Sequence, residues 1–498
     1  MPLRDASRRW SSHLINRVAR RAGRNSLAGT GHMAVLRMLV VTGALCVAAC
    51  GGNNDKVPQL TARDAVPIEA ARPAPPAQTS VLFRNVRVFN GVDPTLQAAT
   101  DVLVRGNRIA SIGKSDVTSA EPGMTIIDGG GRTLMPGLID MHWHTLAVRP
   151  SIAVALRSTT GYLNLMAGAE AADTLQRGFT TVRDVGGNSF GLKRAIDEGW
   201  LPGPRIYPSG AIISVTGGHG DFRSPEELPR TLGRAESRQE VMGDTAIADT
   251  PDEVRLRVRE QLMQGASQIK LTAGGGVSSP HSPLDVVTFT PDELRAAVAG
   301  ANQWGTYVTA HAYSPAAIRQ AVEAGVQCIE HGSLMDDATA QLIANKGVWL
   351  SMQPLPDELL RAFPPDSEEY AKGREVLDGN AHAYELAKKY KLKTAFGTDV
   401  LFSAALAKRQ GELLASLGRW YTPSEALIMA TSTNAQLLTL SGERNPYRGR
   451  LGVIEPGAFA DLLLVEGDPL QDLNLVARPQ QNFRVIVKDG RIYKNTIK

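Results

Sequence analysis

The chain has 498 residues, 43% of them hydrophobic and 21% charged, which is ordinary globular composition and too long for one small domain. Its net charge of +4 misleads, because residues 1–49 hold eight arginines, no lysine and one acid, Asp5, a net +7 that leaves −3 for residues 50–498. A mildly acidic body gives no electrostatic case for a nucleic-acid partner.

Residues 1–49 read as a signal peptide. The apolar run 38–49 is too short to span a bilayer as a helix, but it suits a signal-peptide core and ends at Cys50. Val47-Ala-Ala-Cys50 resembles a bacterial lipobox, in which Cys50 becomes the lipidated first residue. The expectation is an exported protein, in the periplasm or on the outer membrane, held by a lipid anchor. An ordinary secretory signal cut near Ala49 is the alternative, and Met33 is a candidate start of translation. With Cys46 lost and Cys50 lipidated, Cys328 has no internal disulfide partner and reads as a small core residue. Residues 50–79 are polar and proline-rich, as a flexible tether would be.

From residue 80 the texture changes. Residues 81–90 alternate like a strand, and 101–113 form a hairpin with Gly106 and Asn107 at its turn. The end of the chain repeats this pattern at 460–465 and 485–493, with a turn at Asp489 and Gly490. Segments 80–137 and 447–498 are each too small to stand alone and are expected to form one small β-sandwich together. Between them, over 138–446, eight short apolar runs alternate with helical stretches. The runs are 138–142, 180–184, 205–209, 268–272, 307–311, 328–331, 348–352 and 393–399. Helices are predicted over 291–303 and 314–324, with Thr290 and Ser314 as N-caps. Eight β/α repeats predict an α/β (β/α)₈ TIM barrel. An open doubly wound sheet is the alternative, weakened by the lack of a glycine-rich dinucleotide motif; Gly274-Gly-Gly-Val lacks the Gly-Lys-Ser/Thr of a phosphate loop.

Six residues stand out by position. His142 and His144 end the first strand as His-x-His, so both imidazoles face one side. Lys270 lies inside the fourth strand, His311 and His331 end the fifth and sixth, and Asp399 ends the eighth. In a parallel barrel these ends converge on the active-site face. A protonated lysine has no lone pair for a metal, so Lys270 is either modified, with CO₂ converting it to a carboxylated lysine, or ion-paired with Asp399.

The segments Pro136-Gly-Leu-Ile-Asp-Met-His142-Trp-His144, Gln268-Ile-Lys270, Thr309-Ala-His311-Ala-Tyr313, Ile329-Glu-His331-Gly, Gly397-Thr-Asp399 and Ala460-Asp-Leu-Leu-Leu-Val closely resemble the amidohydrolase superfamily, over about residues 81–498 and in family order. The likeness is greatest to the branch of imidazolonepropionase-like hydrolases, prolidase-type dipeptidases and ochratoxin-degrading amidases. The resemblance implies two divalent metals, zinc by the imidazole-rich ligation. One is taken by His142, His144 and Asp399, the other by His311 and His331, with carboxylated Lys270 bridging both. It further implies that His219, in Thr216-Gly-Gly-His219-Gly, polarises the scissile carbonyl, that Asp399 moves the proton, and that Tyr313 helps hold a substrate carboxylate. A homo-oligomer, octameric in relatives, is implied as well. The activity expected is hydrolysis of the amide bond in an N-acyl-L-amino acid or dipeptide, ochratoxin A among the candidates. Lactone or phosphotriester hydrolysis is a second reading, and a metal- or solute-binding lipoprotein without turnover a third.

Overall fold

The computed structural model describes residues 80–114, 122–227, 233–279 and 281–497. The leader, the tether and Cys50 lie outside the described residues. The strands are, in chain order, β1 (Ser80–Val88), β2 (Gln97–Arg105), β3 (Arg108–Ile112), β4 (Met124–Asp128), β5 (Thr133–Pro136), β6 (Leu138–Trp143), β7 (Phe179–Asp184), β8 (Arg205–Pro208), β9 (Ile212–Ser214), β10 (Thr245–Ile247), β11 (Ile269–Thr272), β12 (Val308–Ala312), β13 (Cys328–His331), β14 (Trp349–Met352), β15 (Lys393–Phe396), β16 (Leu462–Val465), β17 (Phe483–Lys488) and β18 (Arg491–Asn495). No described helix is long and apolar enough to cross a membrane.

Both chain ends enter one eight-stranded mixed sheet, in the order β18-β17-β16-β5-β1-β2-β3 with β4 beside β1. The hairpin turns fall at Gly106–Asn107 and Asp489–Gly490, as read from the sequence. Both end segments lie in one continuous sheet, and the reason lies in β1. It pairs with β2 on one edge, while the other edge takes β4 along its first half and β5 along its second. Strand β5 then pairs with β16, which joins the C-terminal strands to the same sheet. The far edge turns back, with Ile109 N donating to Ala458 O at 3.0 Å and Ala460 N to Asn107 O at 2.9 Å. The sheet thereby wraps a core of its own, which includes Phe83, Val104, Leu462, Leu464 and Val487. Leu463, Val465 and Ile486 belong instead to the large core beneath the barrel helices. Burial on both faces is why residues 462–465 read as an unbroken apolar run.

The eight runs predicted between these ends are all strands. They form two parallel arcs, β6-β7-β8 and β10-β9-β11-β12-β13-β14-β15. Strands β9 and β10 were not anticipated. The third strand breaks after Pro208, a residue with no N–H to give a ladder. Past the break β9 pairs with β11, while β8 stays with β7. Side-chain and backbone hydrogen bonds bridge both seams. The Gln268 amide donates to Asp184 O and Tyr207 O, and Ser267 N to Pro208 O. On the opposite side Asn434 donates to Ile139 O and Phe396 O and accepts from Phe396 N.

The helix Pro291–Gln303 begins with a full capping box from Thr290 and Glu293 and has proline in its first turn, and Pro315–Glu323 is capped by Ser314. These are the two helix starts predicted from the sequence.

Candidate functional site

The parallel strands deliver the predicted side chains to one place. His142 lies on β6, with His144 just past its end. Lys270 is on β11, His311 on β12 and His331 on β13; Asp399 follows β15 by three residues. Ring centroids are 5.2 Å apart for His142 and His144, 4.8 Å for His142 and His331, and 4.5 Å for His311 and His331. His219 lies 4.3 Å from His311, and Tyr313 4.6 Å from His311 and 5.1 Å from His331. His331 and Asp399 adopt positive φ, 75° and 51°, an uncommon backbone state that histidine and aspartate enter more readily than most side chains and that clusters at functional sites. Gly397 is explained by close approach: a Cβ there would stand 2.6 Å from the backbone nitrogen of His142.

The hydrogen bonds fix which nitrogen of each imidazole is free. His142 Nδ1 lies 2.8 Å from Glu330 Oε2. His144 Nδ1 faces Gly186 O at 3.4 Å, and His311 Nε2 faces Gly275 O at 2.8 Å. His331 Nδ1 lies 2.7 Å from Gln353 Oε1, whose amide nitrogen donates to Ser351 O. At His142 Nδ1 the Glu330 carboxylate at 2.8 Å lies closer than the Gln353 amide nitrogen at 3.4 Å, and the other three partners are acceptors, so these four nitrogens carry the protons. The lone pairs sit on Nε2 of His142, His144 and His331 and on Nδ1 of His311.

Burial favours the neutral imidazole at His142, His219, His311 and His331. It pushes His142 down to about 4 and His219 to about 3, and holds His311 and His331 well below their ordinary value. Burial pushes Asp399 the other way, but His142, His144 and His331 together hold its carboxyl well below the usual carboxylate range.

A metal fits this arrangement. Asp399 Oδ1 is buried with no hydrogen-bond donor, 3.4 Å from His142 Nε2 and 3.3 Å from His144 Nε2. The three ligand atoms lie within 4.8 Å of one another. Three lone pairs facing each other out of water repel unless a cation sits among them. Lys270 is 3% exposed, and burial lowers its pKa against the opposing pull of Glu330 and Asp399. The alternative of an ion pair with Asp399 is not formed: among the described residues no carboxylate oxygen lies within 4.0 Å of its amine.

Several supporting residues were missed by the sequence reading. Glu330 is fully buried and accepts from Arg183 Nη2 at 2.5 Å as well as from His142. Arg183 also donates to Met141 O and Tyr307 Oη. Asp140 accepts from the backbone of His142 and Thr398, from Thr398 Oγ1 and from Gln410, and burial still pushes its carboxyl up to about 6. The available signal was a charged residue inside a predicted strand, at Asp140, Arg183 and Glu330. Cys328 is buried, as expected of a core residue.

Comparison with known proteins gives the same direction. The amidohydrolase family model matches residues 133–494. Ochratoxinase of Aspergillus niger is 30% identical over 440 residues, covering 84% of this chain and 87% of that protein. Among solved structures, an amidohydrolase is 36% identical with a TM-score of 0.77, and a prolidase complexed with N-methylphosphonate-L-proline is 33% identical with a TM-score of 0.76. Each alignment covers 84% of this chain and all of the other. These neighbours imply a TIM-barrel-type α/β fold.

Proposed function

This chain belongs to the amidohydrolase family and is a hydrolase, and from that premise we propose that it cleaves the amide bond between an acyl group and an L-amino acid with a free carboxylate. The observation that carries this is the set of four imidazoles, each with one nitrogen tied to an acceptor and one lone pair free, gathered beside Asp399. The likeness to an ochratoxinase and to a prolidase complexed with N-methylphosphonate-L-proline, an L-amino acid substituted on its nitrogen, supports it.

In this reading His142, His144 and Asp399 would hold one divalent ion and His311 and His331 a second, zinc by ligand type, and carboxylated Lys270 would be a ligand shared by both. The chemistry such ions supply is acidification of water and polarisation of a carbonyl oxygen. Burial favours the neutral amine of Lys270, the form that reacts with CO₂. Asp399 takes the proton from the attacking water and gives it to the leaving amine. His219 donates a hydrogen bond to the scissile carbonyl. Tyr313, whose phenol burial keeps protonated, donates to the substrate carboxylate. The two arcs are read as one closed (β/α)₈ barrel.

A panel of N-acyl amino acids and dipeptides, run beside lactones and phosphotriesters, tests the reading. Free amino acid should appear, disappear with a chelator and return with added zinc. Turnover of lactone or phosphotriester with no amide cleavage would refute it. Export with a lipid anchor at Cys50, and assembly into a homo-oligomer, are carried forward as proposals. Cys50→Ala should leave the membrane fraction and keep its activity, whereas wild type that stays soluble after export contradicts the anchor. Light scattering that finds a monomer contradicts the assembly.

A further inference from the structure

His219 differs from the other site histidines in what it faces. Its Nδ1 lies 2.8 Å from a hydroxyl, Ser279 Oγ, which can donate as well as accept. The same oxygen accepts from Gly220 N at 2.9 Å. Ser279 is fully buried, so water does not complete its bonding. If His219 Nδ1 carried the proton, Ser279 would accept twice and its own hydrogen would need another acceptor. Among the described residues none is recorded besides His219 Nδ1. The arrangement that leaves nothing unsatisfied has Gly220 N–H donating to Ser279 Oγ and the Ser279 hydroxyl donating to His219 Nδ1.

We propose that Ser279 is a positioning residue that fixes His219 as the Nε2–H tautomer, making it a hydrogen-bond donor to the scissile carbonyl and not a fifth imidazole ligand. The four imidazoles read as ligands each give a proton to an acceptor and keep a lone pair for the site. His219 receives a proton and keeps an N–H. The pocket around it is built for this. Its ring lies against the backbone of Gly276, where a Cβ would stand 2.0 Å from Nδ1, so no side chain larger than hydrogen leaves room for the ring beside Ser279. Its carbonyl accepts from Ser214 Oγ at 2.8 Å. Lys372, buried on the helix Glu368–Lys389, donates to Ser279 O at 3.1 Å and to Ser282 O at 3.4 Å, which ties the Ser279 backbone to a long helix. The use of the tautomer rests on the reading of His219 as the group facing the carbonyl, but the tautomer can be measured without turnover.

The test is nitrogen NMR of the metal-loaded protein labelled at histidine, with the His219 signals identified by their loss in His219→Gln. The expected result is a protonated Nε2 and an unprotonated Nδ1. In Ser279→Ala the Nδ1–H form should appear, and kcat should fall about tenfold or more with KM changed less than about twofold, since the hydrogen bond is made to developing charge. A protonated Nδ1 in wild type overturns the proposal, and so does a Ser279→Ala enzyme with wild-type kcat. Should Ser279→Ala fail to fold, the wild-type spectrum alone decides. Full turnover in His219→Gln would overturn the use of the tautomer even where Nε2–H is found, and would count against the reading of His219 itself.

Discussion

The two corners of the histidine cluster use the same side chain and anchor it differently. His142 leans on a carboxylate, Glu330, itself paired with Arg183 in a region with almost no exposure to water. His331 leans on the neutral amide of Gln353, and His311 on the backbone carbonyl of Gly275. A carboxylate partner raises the basicity of an imidazole ligand more than a neutral one does. The first corner also has Asp399, whereas on the proposed reading the anion for the second would come from Lys270 once carboxylated. The comparison teaches that the fold alone gathers two imidazoles and a carboxylate at the first corner, whereas the second, on the proposed reading, would depend on a chemical change to one lysine.

The largest expected effect is at the anion of the first corner. On the proposed reading Asp399→Asn would remove both a ligand and the proton acceptor, and kcat/KM should fall roughly 10³-fold or more. Steady-state kinetics within tenfold of wild type would break the comparison at its stronger end. Next comes Arg183→Met, which strands the buried carboxylate of Glu330. Denaturant unfolding should show a loss of about 3–5 kcal/mol, the usual cost of leaving one buried charge without its partner. The smallest effects sharpen the contrast between anchors. Glu330→Gln should weaken metal binding about 10–100-fold, and Gln353→Leu by less than that, as read by competition with a chromogenic chelator. A greater loss from Gln353→Leu would invert the ranking of the corners.

Much of this site could be read from residue order. His142, His144, His311, His331 and Asp399 sit at or near strand ends, and strand ends follow from short apolar runs that stop at a polar residue. The anchors could not be read in the same way. Glu330 meets Arg183 across 147 positions and His142 across 188, and no local pattern encodes which buried charge pairs with which. Ser279 and Gln353 are ordinary polar residues until the fold sets them against His219 and His331. The break after Pro208 divided the third strand because β9 found its partner in β11, a choice made by tertiary contact. The single sheet that takes both end segments was illegible for a similar reason. Alternation shows that a strand has a buried face, but not that β1 would be paired along both edges. The reading of residues 1–79 falls outside the described residues.

Metal content per chain, measured on Lys270→Ala beside wild type, bears most directly on the unequal corners. Wild type should hold about two divalent ions, and Lys270→Ala about one, kept at the corner of His142, His144 and Asp399, with activity largely lost. Lys270→Arg should behave like Lys270→Ala, because a guanidinium stays charged and does not take up CO₂, and a short carboxylic acid should restore metal and activity only in the alanine variant. Two ions retained in Lys270→Ala, or substantial activity in Lys270→Arg, would contradict a bridging role for Lys270.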